Sequence, residues 1–233
     1  AHGERLAEGL VALEHGQCAD ALACFEAVLR VEPTNGLARV GLHRAYRQMV
    51  PRWHFAMLND RERNHAFQVA ISRTVGPDTL VLDIGSGSGL LAMIAARAGA
   101  QRVISCEMVR PVAEAARRII RENGFSDTIT VLDKRSQDLV IGHDMPRCAD
   151  VLVTEIVDCG LLGEGLIPTI AHARKHLVHP EATIIPQAAR VYGVLVESQR
   201  IYGLNQASVA CGLDVRSFNQ FATRGYFPVR LHT

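Results

Sequence analysis

The sequence predicts an α/β protein in which helices cover both faces of a central parallel sheet. From residue 79 onward, short apolar stretches alternate with helical stretches, and the predicted strands are apolar along their whole length. Such strands are typical of a parallel sheet that is buried on both faces. The glycine-rich stretch Val81–Gly89 begins in the first of these strands and is typical of a ligand-binding turn between a strand and a helix.

The first fifty residues are predicted to form helices. Leucines at helical spacing share one face, and Pro33 ends a second apolar stripe. Five residues fall at the offsets of a tetratricopeptide unit, a helix-turn-helix that stacks on a neighbour: Gly9, Gly16, Ala21, Phe25 and Pro33. We therefore expect residues 1–50 to be a tetratricopeptide-like helical region. It is either a protein-binding module or a cap that packs on the next domain.

Residues 51–181 are predicted to be the sheet domain. A helix over residues 60–74 comes first. The expected strands are 79–83, 102–107, 128–133 and 149–155, and the expected helices are 90–98, 111–123 and 165–177. Pro111 suits a first helical turn, and Gly124 suits a left-handed position after a helix end. The alternation of strand and helix is the order that a parallel sheet requires.

After Pro180 the pattern changes, because apolar stretches follow one another without helices between them. Residues 182–186, 189–198 and 227–231 have the composition of strands. We therefore expect a β-rich domain over residues 182–233, with too few strands to close on itself.

The composition narrows the class of partner. Twenty-five basic and 24 acidic residues give a net charge of +1, so no overall field favours direct binding of nucleic acid. No apolar run approaches the ~20 residues that cross a bilayer, so we expect no membrane contact. Six cysteines without a C-x-x-C spacing indicate reduced thiols and a cytoplasmic location, with the nucleus as an alternative.

The glycine turn predicts a nucleotide-type ligand. Gly85 and Gly87 would let a ligand approach the backbone, as in Rossmann-like folds. Glu107 ends the next strand 22 residues after Gly85, where a carboxylate can accept hydrogen bonds from ribose hydroxyls. Asp83 disfavours the pyrophosphate of a dinucleotide and suits the ammonium of S-adenosylmethionine. We favour that cofactor over NAD and over a turn without a ligand.

Two glutamates nine positions apart predict a cation-binding clamp. Glu155 closes the fourth strand at the carboxyl edge, and Glu164 follows after a glycine-rich loop. Ionised carboxylates that lie close together repel unless a cation lies between them. A guanidinium fits best, because its fork of donors matches carboxylates. The alternative is that Glu164 only caps the following helix.

These residues together resemble the protein arginine methyltransferases. The resemblance covers about residues 52–198 and rests on five stretches: Val81–Gly89, Glu107, residues 123–127, residues 154–165 and residues 172–177. The most similar branch is that of protein arginine methyltransferases 7 and 9, and the helical N-terminus favours member 9. The resemblance implies a Rossmann-like class I S-adenosylmethionine-dependent methyltransferase sheet, with a helical N-terminal cap and the start of a C-terminal β-barrel.

The resemblance also implies roles for residues outside the turn and the clamp. His54 and Arg63 would contact the cofactor from an N-terminal helix, and Arg63 would pair with the methionyl carboxylate. Read without the resemblance, Arg63 is a solvated helix charge. Ser136 and Gln137 occupy the place of the adenine-contacting loop. The family's Thr-His-Trp barrel loop does not occur in this chain.

The implied reaction is methyl transfer from S-adenosylmethionine to a guanidino nitrogen of protein arginine, with S-adenosylhomocysteine as the product. Glu155 and Glu164 would be catalytic. The expected partners are an arginine-containing protein or peptide, a protein bound by the helical N-terminus, and a second copy in a dimer or pseudo-dimer. Alternatives are a small-molecule methyltransferase and an inactive cofactor-binding scaffold. A metal site at His172, His176 and His179 is a weaker alternative, so we expect no metal.

Overall fold

The computed structural model of the protein describes residues 2–158 and 160–225. The chain divides into two compact units between Ala189 and Arg190. The first unit contains the N-terminal helices and a five-stranded sheet, and the second is short.

Three helices open the first unit and confirm the helical prediction for this region. They are α1 (His2–Glu14), α2 (Cys18–Val31) and α3 (Gly36–Met49). Asn35 caps α3, since its side-chain oxygen accepts a hydrogen bond from the Ala38 amide at 2.9 Å. Phe25 is fully buried among the three helices. A methyl group on Gly9 would lie 2.9 Å from the Phe25 ring, so glycine is what allows α1 to approach α2 so closely.

The central sheet confirms the predicted parallel architecture. Its strands follow the order β3-β2-β1-β4-β5, and every pair is parallel. The strands are β1 (Leu80–Ile84), β2 (Arg102–Cys106), β3 (Ile129–Leu132), β4 (Ala149–Thr154) and β5 (Val178–Ile185). The helices around them are α4 (Trp53–Leu58), α5 (Arg61–Thr74), α6 (Leu90–Arg97), α7 (Arg110–Glu122) and α8 (Leu166–His176).

Two apolar layers bury the faces of the sheet. Val81 and Val103 point into a layer that is filled by residues of α5, α6 and α7. Leu82 and Ile104, one position further along each strand, point into the opposite layer with Ala173 of α8. Because both faces are covered, the functional groups of the sheet can meet solvent only at its edges and ends.

The structure corrects the prediction of where the sheet ends. Residues 182–185 belong to β5, the edge strand of the sheet, and do not open a separate β-rich domain. Pro180 lies where the pairing of β4 with β5 slips, between the partners Ala149–Val178 and Val151–Thr183. Proline is tolerated at such an irregularity on an edge strand, so it did not mark a domain boundary.

The strand predicted over residues 189–198 is also wrong. Residues 187–198 have no helix or strand, and Leu195 is fully exposed. The strand predicted over residues 227–231 lies outside the described residues. The second unit contains α9 (Gln199–Gly203) and a short antiparallel pair, β6 (Val209–Ala210) and β7 (Leu213–Asp214).

Two further features concern the described residues as a whole. None of the helices in this part of the chain is long and apolar enough to cross a membrane. Cys106 is buried, Cys211 is exposed, and the other described cysteines are partly buried free thiols: Cys18, Cys24 and Cys148.

The packing of the three N-terminal helices predicts the effect of a methyl group on α3. In Gly41→Ala the new methyl would lie 2.6 Å from one carbon of the buried Phe25 ring. We expect the free energy of unfolding to fall by about 1–3 kcal/mol, because the core is overpacked. Gly36→Ala in the same helix is the control, since no atom lies within 4 Å of its added methyl. Urea unfolding that gave both variants the same stability would contradict this packing.

Candidate functional site

A cavity of about 590 Å³ lies at the carboxyl ends of β1, β2 and β4. This is the edge at which open α/β sheets bind their ligands. Its wall includes the glycine turn after β1, the residue after β2, the end of β4, helix α4 and the start of α8. Nearly all the predicted site residues are on this wall: His54, Arg63, Gly85, Gly87, Glu107, Ser136, Gln137, Glu155 and Glu164.

The glycine turn brings the backbone to the cavity. Gly85 and Gly87 both have positive φ angles, 88° and 52°, which side chains rarely adopt. A methyl on Gly85 would lie 2.8 Å from the Ile156 side chain, whereas one on Gly87 would meet no atom within 4 Å. The two positions therefore differ: Gly85 allows close packing against the loop after β4, and Gly87 leaves the turn open.

Glu107 fastens this turn to the end of β2. Its carboxylate accepts hydrogen bonds from the Gly87 amide at 3.1 Å and from the Val109 amide at 2.9 Å. The side chain is largely buried yet lies on the cavity wall. Each carboxylate oxygen can accept more than one hydrogen bond, so Glu107 can still bind hydroxyl groups in the cavity.

Asp83 does not reach the cavity, which corrects its predicted contact with a ligand ammonium. It is fully buried behind the turn. Its Oδ2 accepts a hydrogen bond from the Ser105 hydroxyl at 2.7 Å, and that hydroxyl lies 2.5 Å from the Ser86 hydroxyl. Its Oδ1 has no partner among the described residues. Burial raises the pKa of Asp83 to about 7, and the charge of Glu107 adds to the rise, whereas the Ser105 bond lowers it.

Arg63 forms an ion pair with the clamp. Its Nε donates to Glu155 Oε1 at 3.2 Å, and its Nη2 lies 2.9 Å from Glu155 Oε2. The guanidinium also lies over the ring of Phe67, with 5.2 Å from Cζ to the ring centroid. The contact of Arg63 is thus with Glu155, which the sequence did not predict. Arg63 is a partly buried site residue and not a solvated helix charge.

The two glutamates of the predicted clamp face one cavity. Burial raises the pKa of Glu164, and the nearby charges of Glu155 and Asp158 raise it further. The charges of Glu155 and Asp158 therefore lie close enough to act on Glu164. Glu164 makes no hydrogen bond with any residue that the structure describes, and α8 has Gly165 as its N-cap residue and no side-chain cap. The alternative that Glu164 only caps a helix is therefore not supported.

The loop between the glutamates curls around Asp158. The Asp158 carboxylate accepts a hydrogen bond from the Gly163 amide at 3.1 Å. A methyl on Gly163 would lie 2.7 Å from Asp158 Cγ, so the loop needs glycine at this position. This contact ties Gly163, the residue before Glu164, to Asp158.

Helix α4 covers one side of the cavity. The rings of His54 and Trp53 stack with their centroids 3.9 Å apart. Burial lowers the pKa of His54, while the charges of Glu107 and Glu155 oppose this shift. His54 is therefore a largely neutral group at neutral pH, on the same wall as the carboxylates.

Ser136 and Gln137 form a neutral part of the wall. The Gln137 amide donates to the Thr169 hydroxyl on α8 at 3.3 Å, and Ser136 is buried beside it. Sequence reasoning missed Thr169 and Met108, which also line the cavity. Met108 could have been predicted from the sequence, because it directly follows Glu107, the acid after β2. Thr169 was detectable because the first turn of α8 begins at the same edge.

The histidines of α8 lie away from the cavity wall. The rings of His172 and His176 are 4.8 Å apart. Within residues 2–158 and 160–225, no group of three or more His, Cys, Asp or Glu side chains is placed to hold a metal ion.

The buried carboxyl of Asp83 predicts a pH-dependent stability. Its pKa is about 7 in the folded protein and close to 4 when unfolded, so the folded state binds the extra proton between these values. Stability from this group is therefore present at low pH and is lost as the pH rises through about 7. Relative to Asp83→Asn, we expect the free energy of unfolding to fall by on the order of 1 kcal/mol between pH 6 and pH 8.

Urea unfolding at both pH values measures this loss. The comparison isolates the titration of Asp83. The effect of the Asn amide on stability is the same at both pH values, so it cancels in the difference between them. A difference between the two proteins that stays level with pH would contradict the proposed protonation.

Residues 68–186 match the family model of ribosomal protein L11 methyltransferase (PrmA). An arginine N(omega)-methyltransferase of Streptomyces achromogenes subsp. streptozoticus is 56% identical over 187 residues, which are 80% of this chain and 52% of that protein. Protein arginine N-methyltransferase 7 of Rattus norvegicus is 43% identical over 173 residues, which are 70% of this chain and 25% of that protein.

A solved structure supports the same assignment. The Trypanosoma brucei PRMT1 enzyme–prozyme heterotetrameric complex with AdoHcy superposes with a TM-score of 0.62 and 28% identity, covering 72% of this chain and 53% of that one. This chain spans about half the length of the Streptomyces relative and about a quarter of the rat protein. The related animal proteins are named protein arginine N-methyltransferase 7, so the relatives support member 7 and not the predicted member 9. The chain carries a PrmA-type methyltransferase domain and belongs to the protein arginine methyltransferase family, in the branch of protein arginine N-methyltransferase 7.

Proposed function

We propose that this chain transfers a methyl group from S-adenosylmethionine to a guanidino nitrogen of arginine. The observation that carries this proposal is the pair Glu155 and Glu164, two neighbouring carboxylates on the wall of the cavity that the glycine turn also lines. A cation between them would relieve the repulsion, and a guanidinium matches carboxylate geometry better than an ammonium does. The names of the relatives support the same chemistry.

The residues of the cavity fit S-adenosylmethionine. Gly87 exposes backbone, Glu107 offers carboxylate oxygens for hydroxyl groups, and Gln137 offers an amide for a neutral ring. Arg63 supplies a cation that suits the ligand's carboxylate. The volume of about 590 Å³ lies within the usual range for a ligand of this size. When bound, this cofactor supplies a sulfonium methyl group and is released as S-adenosylhomocysteine.

The chain's own residues would orient and deprotonate the acceptor. A guanidinium stays protonated with a pKa above ~12 and is a poor nucleophile. Glu155 and Glu164 would hold two of its nitrogens and aim the third at the methyl group, which is catalysis by positioning. The nitrogen lone pair would form the new N–C bond as the C–S bond of the methyl donor leaves its electron pair on sulfur, and the released N–H proton would pass to one of the two glutamates.

Glu164 is the better base for that proton. Its pKa is raised, and it shares no hydrogen bond with a described residue. Glu155 already has both of its carboxylate oxygens directed at the guanidinium of Arg63. The two glutamates therefore have different roles. Glu155 binds and orients the acceptor guanidinium, and Glu164 binds it and accepts the proton.

The acceptor is either arginine within a protein or peptide, or arginine itself. The rat relative is named a protein methyltransferase, whereas the Streptomyces relative is named an arginine methyltransferase. The higher identity to the latter, 56% against 43%, makes the small-molecule acceptor a specific second candidate. A cofactor-binding scaffold without turnover is the third reading.

The N-terminal helices are proposed to be a tetratricopeptide-like surface for a protein partner. Their packing around Phe25 supports a repeat-like fold. Leu37 and Val40 lie on one face of α3 and are more than half exposed, at 63% and 58%. Assembly into a dimer belongs to the same proposal, since the Trypanosoma relative was solved as a heterotetramer. Sedimentation of the chain would reveal self-assembly.

Mass spectrometry tests the reaction and the acceptor together. The chain is incubated with S-adenosylmethionine and either an arginine-containing peptide or free arginine. We expect a gain of one methyl mass, or its multiples, on arginine in at least one reaction. Binding of S-adenosylhomocysteine without any methylated product would instead support the scaffold.

Replacing the proposed base separates catalysis from cofactor binding. In Glu164→Gln we expect kcat to fall by at least about 100-fold, because proton acceptance is lost. Affinity for S-adenosylhomocysteine should change less than about threefold, since Glu164 binds the acceptor. Calorimetry and initial rates measure the two effects, and Glu122→Gln on the exposed side of α7 is the control. Cofactor affinity that fell in parallel with kcat would contradict this role.

A further inference from the structure

The side chain of Asn64 connects two parts of the site. Its Oδ1 accepts a hydrogen bond from Arg63 Nη1 at 2.8 Å, and its Nδ2 donates to the backbone oxygen of Leu58 at 2.8 Å. Both bonds are partly buried. An amide is the side-chain group that provides an acceptor and a donor at this length, so asparagine fits both contacts.

On one side, Asn64 fixes the orientation of Arg63. A guanidinium has five N–H donors in a rigid plane. Its Nε is bonded to Glu155, and its Nη1 is bonded to Asn64. Donors remain on both terminal nitrogens, so the plane can hold Glu155 and bind a second carboxylate at the same time. Without Asn64 the plane would rest on Glu155 and on the face of Phe67 alone.

On the other side, Asn64 holds the end of α4. No residue of this six-residue helix is buried, so apolar packing contributes little to its position. Four of its residues nonetheless line the cavity: Trp53, His54, Met57 and Leu58. Because Leu58 is the last residue of α4, the hydrogen bond from Asn64 ties the C-terminal end of α4 to α5.

We propose that Asn64 is a positioning residue that couples the helix covering the methyl donor to the carboxylate clamp for the acceptor. Its carbonyl keeps Arg63 aligned with Glu155, and its amide keeps α4 closed over the cavity. This inference rests on the proposed methyl transfer, but the half that concerns α4 depends only on cofactor binding.

Two substitutions separate the halves. Asn64→Asp keeps an oxygen for Arg63 and places a second oxygen against the Leu58 carbonyl, so it releases α4 alone. Asn64→Ala removes both contacts. Asn123→Ala is the matched control, because Asn123 Nδ2 also donates to a backbone oxygen, that of Ile119, at 2.8 Å and remote from the cavity wall.

The readouts are calorimetric affinity for S-adenosylhomocysteine, and the KM and kcat for the methylated acceptor at saturating S-adenosylmethionine. In Asn64→Asp we expect about tenfold weaker affinity for S-adenosylhomocysteine, because the hydrogen bond to α4 is lost. The kcat and the acceptor KM should stay within about twofold of the values for the unsubstituted protein. In Asn64→Ala we expect at least that loss of cofactor affinity, because Arg63 also faces the ligand's carboxylate, and a further fall of about tenfold in kcat. Urea unfolding checks that all proteins are folded under the assay conditions.

Cofactor affinities that match the Asn123→Ala control would overturn the coupling to α4. Equal kcat values in the two Asn64 variants would overturn the alignment of Arg63. If the original chain binds S-adenosylhomocysteine but methylates no arginine, the proposed function fails and the alignment of the clamp fails with it. Calorimetry still decides the role of Asn64 at α4 in that case.

Discussion

Acidic side chains are concentrated at the carboxyl ends of β1, β2 and β4. The arrangement of the site depends on which groups neutralise each of these acids. Glu107 is satisfied by two backbone amides. Glu155 is satisfied by the guanidinium of Arg63. Glu164 has neither kind of partner among the described residues, and burial, together with the charges of its acidic neighbours, raises its pKa. An uncompensated carboxylate in a cavity is a strong reason to expect a cationic ligand there.

The sheet makes this arrangement rigid. Parallel pairing places Asp83 opposite Ser105 on β2 and Val153 on β4, so the ends of three strands are held in register. The apolar layers on both faces leave the carboxyl edge as the place where polar groups can meet solvent. Asp83 lies inside this frame, and through the hydroxyls of Ser105 and Ser86 it supports the turn from behind. Its elevated pKa is the result of placing a carboxyl group within a packed sheet.

Local pattern predicted most of the sheet domain, and the failures share a cause. Helix caps, apolar strands and the glycine turn are short-range features, so their positions could be read from neighbouring residues. Pro180 was misread because only the pairing with β4 shows that it lies in an edge irregularity. Asp83 was misread because a polar residue at a strand end gives no sign of whether it faces a cavity or a packed layer. The Arg63–Glu155 pair joins residues 92 positions apart, beyond any spacing rule.

The partners of the two clamp glutamates make them chemically unequal. A base needs lone pairs and a raised pKa, and a residue that orients a cation needs a fixed direction. Glu155 has the fixed direction, since both of its oxygens face one rigid guanidinium. Glu164 has the raised pKa, and its loop is shaped by Asp158 against Gly163 without a bond to its own carboxylate. Two identical side chains thus acquire different roles, because a cation already lies beside one of them and not beside the other.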